Sequence, residues 1–268
     1  MPVNVRNAEM VGMLAGDLQA RYEPQFAWKS ACSQHQALPG LRGFWPTSSM
    51  LAGGDLEDLS GQGHTLTYNG SCLYRQDNLA PNVALDGVGD YFNLADPGAN
   101  SWMDIIGTEA YINNNFNGLT LGGWFRFTNV AGATEYMISK WDVAGNQRSY
   151  ALLRNAAGNI VFAVSNNGIA SVTVASTTAP PNLEWFFAAG RYDPGTELKI
   201  WYNTETNTNV AAIPANLHAG TADFFIGGRH GGLDLLSARL SMQWLCAQMH
   251  SDAIVGQTFQ QNRAMWGV

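Results

Sequence analysis

The chain has 268 residues, 46% of them apolar, and a formal net charge of −7. Only 13% are charged, against a usual share of about 25%, so little is left for solvated helix faces, while 29 glycines supply turns. The 14 Lys and Arg form no cluster, so the basic footprint that neutralises phosphates is missing and nucleic acid is not an expected partner.

The opening Met1-Pro-Val-Asn-Val-Arg-Asn-Ala-Glu-Met10 has no basic start followed by an apolar core, and nowhere do 18 uncharged apolar residues run together. The expectation is a product made in the host cytoplasm without signal peptide or membrane span. Cys32, Cys72 and Cys246 are odd in number, widely spaced and without metal-ligand spacing, which reads as buried free thiols rather than a disulfide framework.

Residues Asn7 to Tyr22 have a capping Asn7, an acidic Glu9 in the first turn, and Met10, Met13, Leu14 and Leu18 at helical spacing. A second short helix is predicted from Pro24 through Phe26, Trp28 and Cys32 to about Gln36, before Leu38-Pro-Gly40 breaks it. Residues 1–40 thus read as a partly helical arm. It either folds back on the body or docks on a neighbouring subunit through Met10, Met13, Leu14, Leu18, Phe26 and Trp28.

From Leu41 the pattern changes to short apolar or alternating runs separated by Gly, Asn, Asp and Pro, as in an all-β sandwich. Thirteen strands are predicted: 41–46, 66–69, 82–85, 91–94, 119–129, 136–141, 150–154, 160–165, 171–175, 184–192, 198–203, 222–227 and 238–247. Asn155-Ala-Ala-Gly158, Asn166-Asn-Gly168 and Asp193-Pro-Gly195 carry turn chemistry that makes their flanking strands antiparallel neighbours. Intervals 95–118 and 211–220 are long and Asn/Gly-rich, so they read as surface loops where specificity would sit. The tail from Ser251, with Asp252 in the first turn and Ile254, Val255 and Phe259 at helical spacing, predicts a short closing helix.

The central strand is Leu119-Thr-Leu-Gly-Gly-Trp-Phe-Arg-Phe127. Alternation puts Leu119, Leu121, Phe125 and Phe127 on one side and Thr120, Trp124 and Arg126 on the other. The paired Gly122 and Gly123 imply that another backbone or a large side chain lies close.

Asp58-Leu-Ser-Gly-Gln-Gly63, Val83-Ala-Leu-Asp-Gly-Val-Gly-Asp-Tyr91, Leu119-Thr-Leu-Gly-Gly-Trp124, Ile138-Ser-Lys-Trp141, Trp185-Phe-Phe-Ala-Ala189 with Leu198-Lys-Ile-Trp-Tyr202, and Phe225-Ile-Gly-Gly228 follow one another in an order that resembles the laminin G-like, concanavalin A-like jelly-roll (lectin/glucanase) family. The resemblance covers residues 41–268 and implies an antiparallel two-sheet jelly roll, with the arm, residues 1–40, outside it. The family's usual Ile-Asp-Glu strand and Leu-Ser-Xaa-Xaa-Glu helix opening are replaced by Ser241-Met-Gln-Trp-Leu245 and Ser251-Asp252. These changes remove carboxylates from a family calcium site.

A laminarinase-type glycosidase on this fold needs two carboxyls flanking the scissile bond, about 5 Å apart in the retaining case. No Glu-Xaa-Asp-Xaa-Xaa-Glu occurs, and Glu109, Glu135, Glu184, Glu197 and Glu205 are scattered one to a segment. No enzyme activity and no cofactor are expected. Asp58, Asp86 and Asp90 are the residues best suited to a structural Ca²⁺, although carboxylates beside glycine turns also serve the turn itself.

His35, His64, His218, His230 and His250 fall in separate segments. Trp102, Tyr111 and Phe116 in the first long loop, with His218 and His230 near later turns, are candidates for stacking and holding a glycan, provided the topology brings those turns together. Trp124, Trp185 and Trp201 read as packing. Two function classes follow. The first is a non-enzymatic structural module of a virion, such as a phage-type capsid decoration or tail component, held to other subunits through residues 1–40 and forming a homo-oligomer. The second is a lectin-like adhesion module binding glycan at the sandwich rim.

Overall fold

The computed structural model of the chain describes residues 28–77, 80–98, 101, 104, 118–129 and 131–268. A helix, α1, covers residues 28–36. The first five strands are β1 (Leu41–Trp45), β2 (Thr67–Asn69), β3 (Leu73–Asp77), β4 (Ala80–Asp86) and β5 (Tyr91–Leu94). After the long loop come β6 (Leu119–Phe127), β7 (Glu135–Lys140), β8 (Arg148–Arg154), β9 (Ile160–Gly168) and β10 (Val172–Ala175). The chain continues through β11 (Phe186–Asp193), β12 (Glu197–Tyr202), β13 (Glu205–Asn209), β14 (Phe224–Ile226) and β15 (Ser237–Cys246), and closes with α2 (Asp252–Asn262) and a 3-10 turn, Arg263–Met265.

One sheet runs β13-β12-β11-β6-β15-β4-β3, with β1 pairing to β15, and the other runs β10-β9-β8-β7-β14-β5-β2. All pairings between these strands are antiparallel. The predicted two-sheet jelly-roll sandwich is what the chain forms.

The core lies between the sheets, and β6 contributes Leu119, Leu121, Phe125 and Phe127 to it, all fully buried. Its opposite face is buried as well: Trp124 stacks on Phe259 of α2 at 5.9 Å and on Trp266 at 5.6 Å. A second apolar layer, with Phe44, Phe187 and Trp244 from the sheet, is thus roofed by α1, α2 and the last turn. The eight-stranded sheet is covered on both faces.

The paired glycines answer to this packing. A Cβ on Gly122 would come 2.7 Å from the Ala188 carbonyl oxygen. A Cβ on Gly123 would come 3.1 Å from Gln243 Nε2, because β15 bulges between Ser241 and Trp244 and inserts Gln243 there. At that bulge β15 exchanges its neighbour β4 for β1.

Two strands are additional to the thirteen predicted. Both β3 and β13 are edge strands of the larger sheet, with the polar sequences LYRQD and ETNTN. In β13 the alternation is Asn and Glu against Thr, so no apolar period marks it. Its edge faces β10 across the sandwich. Asn209 Nδ2 donates to the Thr173 carbonyl at 2.8 Å and Asn207 Nδ2 to the Ala175 carbonyl at 2.9 Å, while Glu205 accepts from the Thr177 and Thr178 amides.

The predicted 7–22 helix, and Met10, Met13, Leu14, Leu18 and Phe26, lie outside the described residues. The end of the predicted arm belongs to the body: Trp28 is 9% exposed, packs in the outer layer with Ala31 and Phe44, and donates its Nε1–H to Ser48 Oγ at 2.9 Å. Of the cysteines, only Cys246 is fully buried; Cys32 and Cys72 are half-buried, because they sit at the margins of the two layers. Burial pushes the Cys32 and Cys72 thiols up to about 12 and about 11, so both stay protonated at neutral pH.

Candidate functional site

A cleft of about 680 Å³ opens on the outer side of the eight-stranded sheet. Its lining comes from Gln76 of β3, Arg126 of β6, Pro181, Leu183, Glu184 and Trp185 before β11, Tyr202 at the end of β12 with Asn203 after it, and Trp266 to Val268. In the sheet order, β12 and β3 are five strand spacings apart. At ~4.8 Å per spacing the concavity is therefore a trench on the order of 20 Å long that crosses the strands.

Local backbone conformation forms its lips. Leu183 and Asn203 both adopt left-handed φ, 64° and 51°, which non-glycine residues seldom do. Leu183 N–H donates to the Phe127 carbonyl, and the Leu183 carbonyl accepts from Arg126 Nε at 2.8 Å, so this loop is tied to β6 at both ends. The consequence is a 59% exposed Leu183 side chain beside a half-buried Trp185, whose ring lies 4.3 Å from that of Trp266. Trp185 was expected to pack, and it does so against Trp266 while lining the trench. Arg126 was read only as an outward residue; its role at the floor needs the 181–185 loop, which no local pattern signals.

The rim loops meet elsewhere, around Lys140 at the end of β7. Its ammonium is fully buried and contacts Asp96 Oδ2, the Gly220 and Ala222 carbonyls at 2.6 and 2.9 Å, and Asp104 Oδ1 at 3.4 Å. Four oxygens converge on one cation that the chain itself supplies. Burial raises the Asp104 carboxyl, with Lys140 opposing that shift. The Tyr150 hydroxyl, across from Lys140 on β8, is fully buried and has no hydrogen-bond partner among the described residues.

His218 and His230 lie on either side of β14, next to this network. His218 Nε2 lies 3.1 Å from Gln147 Oε1. His230 Nδ1 accepts from the Asp223 amide at 3.2 Å, and Asp223 Oδ1 in turn accepts from the Asp96 amide. Asp96, Asp104, Gln147 and the segments on either side of β14 thus lie near one another. Trp102, Tyr111 and Phe116 lie outside the described residues.

The three aspartates considered for Ca²⁺ hold backbone. Asp58 accepts from the amides of Phe44, Ser60 and His64 and from Ser60 Oγ. Asp86 accepts from Val88 and Gly89, whose amides hold its carboxyl below the usual range. Asp90 accepts from Ser71 and Asp86. Asp86 and Asp90 therefore share one turn, while Asp58 belongs to another loop. Among the described residues no group of three or more His, Cys, Asp or Glu is placed to hold a metal ion.

Two further acids are paired with cations, the buried Glu135 with Arg154 and the half-buried Glu197 with Arg191. Glu184 is the one acidic side chain in the described lining of the trench.

A concanavalin A-like sandwich with an open surface trench defines the class of protein. The laminin G-type profile of the concanavalin A-like lectin/glucanases superfamily matches residues 86–244, more than half of the chain. The chain belongs to that superfamily. No curated protein sequence matches it significantly.

Among solved structures it is similar to the binding domain of Paraclostridial Mosquitocidal Protein 1, with a TM-score of 0.65 and 11% identity over 85% of this chain and 55% of that one. It is also similar to the receptor binding domain of botulinum neurotoxin C/D mosaic serotype, with a TM-score of 0.62 and 13% identity over 85% and 54%. At these identities the likeness shows the fold, and the chain spans about half the length of those domains.

Proposed function

We propose that the chain is a non-enzymatic binding module of a larger assembly of virion type, a capsid decoration or tail component, fixed to neighbouring subunits through its N-terminal segment. The observation that carries this reading is the seating of α1. Trp28, buried and hydrogen-bonded to Ser48, clamps the root of residues 1–27 to the outer face of the sheet. A pull on that segment is then borne by the sandwich rather than by a loose linker.

The absence of enzymatic function in this reading is supported by the accounting of the acids. A glycosidase needs two carboxyl groups facing one bond, whereas the trench has Glu184 alone among the described lining residues. The other face of the same sheet lies in the core. That the fold is shared with toxin binding domains is compatible with a recognition role and is an argument by analogy.

A second reading, glycan binding, is favoured by the half-buried rings of Trp185 and Tyr202 that line the trench, with the turns at His218 and His230 as a further surface. The test separates the two. Removing residues 1–27 should abolish incorporation into particles while leaving any glycan-array signal intact. If incorporation survives the deletion and Trp185→Ala erases binding to an array, the glycan reading replaces the first.

A further inference from the structure

Of the five histidines, three gather on the stretch that leads from α1 into β1. His35 Nδ1 lies 2.8 Å from the Ala31 carbonyl oxygen, His250 Nε2 2.8 Å from that of Pro39, and His64 Nδ1 2.7 Å from that of Arg42. A carbonyl only accepts, so each of these nitrogens carries the hydrogen and the opposite nitrogen of the ring is the one that takes up a proton. In His35 and His250 that opposite nitrogen, Nε2 and Nδ1 respectively, is buried with no hydrogen-bond partner among the described residues. Both rings stack on aromatic neighbours of the outer apolar layer, His35 on Phe44 at 5.0 Å and His250 on Trp244 at 6.1 Å.

A proton added at either place makes a buried cation whose new N–H finds no acceptor. The elements packed around His35 bring no carboxylate to it. On α1 the other titratable groups are the exposed Lys29 and the Cys32 thiol; β1 brings the cation Arg42, β15 the buried Cys246 thiol, and the α2 side of the groove beside α1 is lined by Ile254, Gln257, Thr258 and Gln261. Around His250, Arg191 of β11 donates to its carbonyl at 2.8 Å, and the nearby acids are already held, Asp252 by Arg191 and Lys199 and Glu197 by Arg191. His64 differs, because Asp58 Oδ2 lies 3.8 Å from its Nδ1 and opposes the effect of burial. Desolvation lowers His35 to about 4 and also lowers His250, each against its carbonyl bond.

We propose that residues 28–40 form an acid-released strap: protonation of His35 and His250 lifts them from the outer layer while the two sheets stay paired. His35 sits on the strap and His250 holds it by the Pro39 carbonyl, so one opening wets both imidazoles and takes up two protons. What it uncovers is the apolar layer of Phe44, Trp124 and Trp244. Below the unfolded value of 6.5 the open strap binds protons that the closed one refuses, so closure is complete above about 6.5 and weakens as pH falls toward 4. At about pH 5 His35 alone shifts the opening equilibrium roughly thirtyfold, and His250 adds to that. The release concerns the body and holds whatever the chain before Trp28 is attached to; where that segment is an anchor, as read above, acid unseats its root.

The test is amide hydrogen exchange of the full-length chain at about pH 7.5 and about pH 5, corrected for the pH dependence of free amides, with and without a low concentration of urea. Residues 28–40 should lose protection by about thirtyfold or more at the lower pH. They should also remain less protected than β6 and β8 and respond less to urea, since the opening exposes little surface. In the double variant His35→Phe, His250→Gln, whose glutamine amide can still donate to the Pro39 carbonyl, the loss should disappear. Unchanged protection of 28–40 at the lower pH, or the same loss in the double variant, would overturn the proposal. So would equal protection and equal urea dependence in the strap and in β6 and β8, which means that the whole molecule unfolds together. The parent chain alone decides the first and last of these outcomes, so a double variant that fails to fold does not shelter the proposal. Incorporation into particles is not read in this experiment, and a failed release leaves the anchor to its own test.

Discussion

Two buried side chains show how single residues set the conditions under which this sandwich is stable. Lys140 neutralises Asp96 and Asp104 at the base of the long loop. Lys140→Met would leave two buried carboxylates without a cation, so a loss of about 3–5 kcal/mol is expected in urea unfolding. That loss should shrink as pH falls, because protonating Asp104, whose carboxyl burial already raises, removes the charge that Lys140 no longer balances.

His35 works in the opposite sense. Stacked on Phe44 at 5.0 Å and fully buried, it is lowered from 6.5 to about 4 by desolvation, against the bond from Nδ1 to the Ala31 carbonyl. Between those values the unfolded chain takes up a proton that the folded chain refuses. Stability is therefore complete above about 6.5 and declines as pH falls to about 4, by roughly 3 kcal/mol from this residue. His35→Phe should gain on the parent chain by about that amount over this range, measured by urea midpoints at several pH values.

At the scale of elements, the edges of the sandwich are the most informative. Asn207 and Asn209 project from β13 onto the carbonyls of β10 and so close one side of both sheets with side chains in place of a ladder. Each alanine substitution should cost about 1 kcal/mol and speed amide exchange in β10. An unchanged exchange pattern would mean that the bridge carries no load.

The same strand explains what the sequence could convey. The alternation in β6, the turn residues after β8 and the cap at Ser251 each report a local requirement, and each element formed where its pattern stood. An edge strand such as β13 or β3 has one neighbour and little core, so its residues answer to solvent and no hydrophobic period appears. The trench was hidden for a related reason. Arg126, Leu183 and Trp266 are far apart in sequence, and only the strand order brings them together. The network beside His218 and His230 was hidden too: Lys140, which holds Asp96 and Asp104, sits in a strand pattern that gives no sign of a buried ammonium.

For the whole molecule, what residues 28–40 contribute to the sandwich can be measured, because Trp28, Ala31 and His35 pack on its outer layer. A chain lacking residues 1–27 keeps α1 and its contacts with Phe44 and Ser48 and should melt within a few degrees of the full-length protein. Removing residues 1–40 strips Trp28, Ala31 and the His35 ring from the outer layer and leaves Phe44 open to water. Losing two or three large buried side chains costs several kcal/mol, and the melting temperature should drop by well over ten degrees.

The central claim, that this sandwich is held on a larger particle by the segment before Trp28, is tested most directly by mass spectrometry of purified particles from cells expressing the full-length chain or the chain lacking residues 1–27. The full-length chain should be a stoichiometric component and the truncated one absent from particles while abundant and folded in the lysate. Equal amounts of both in the particles, or neither chain in any particle, would contradict the account.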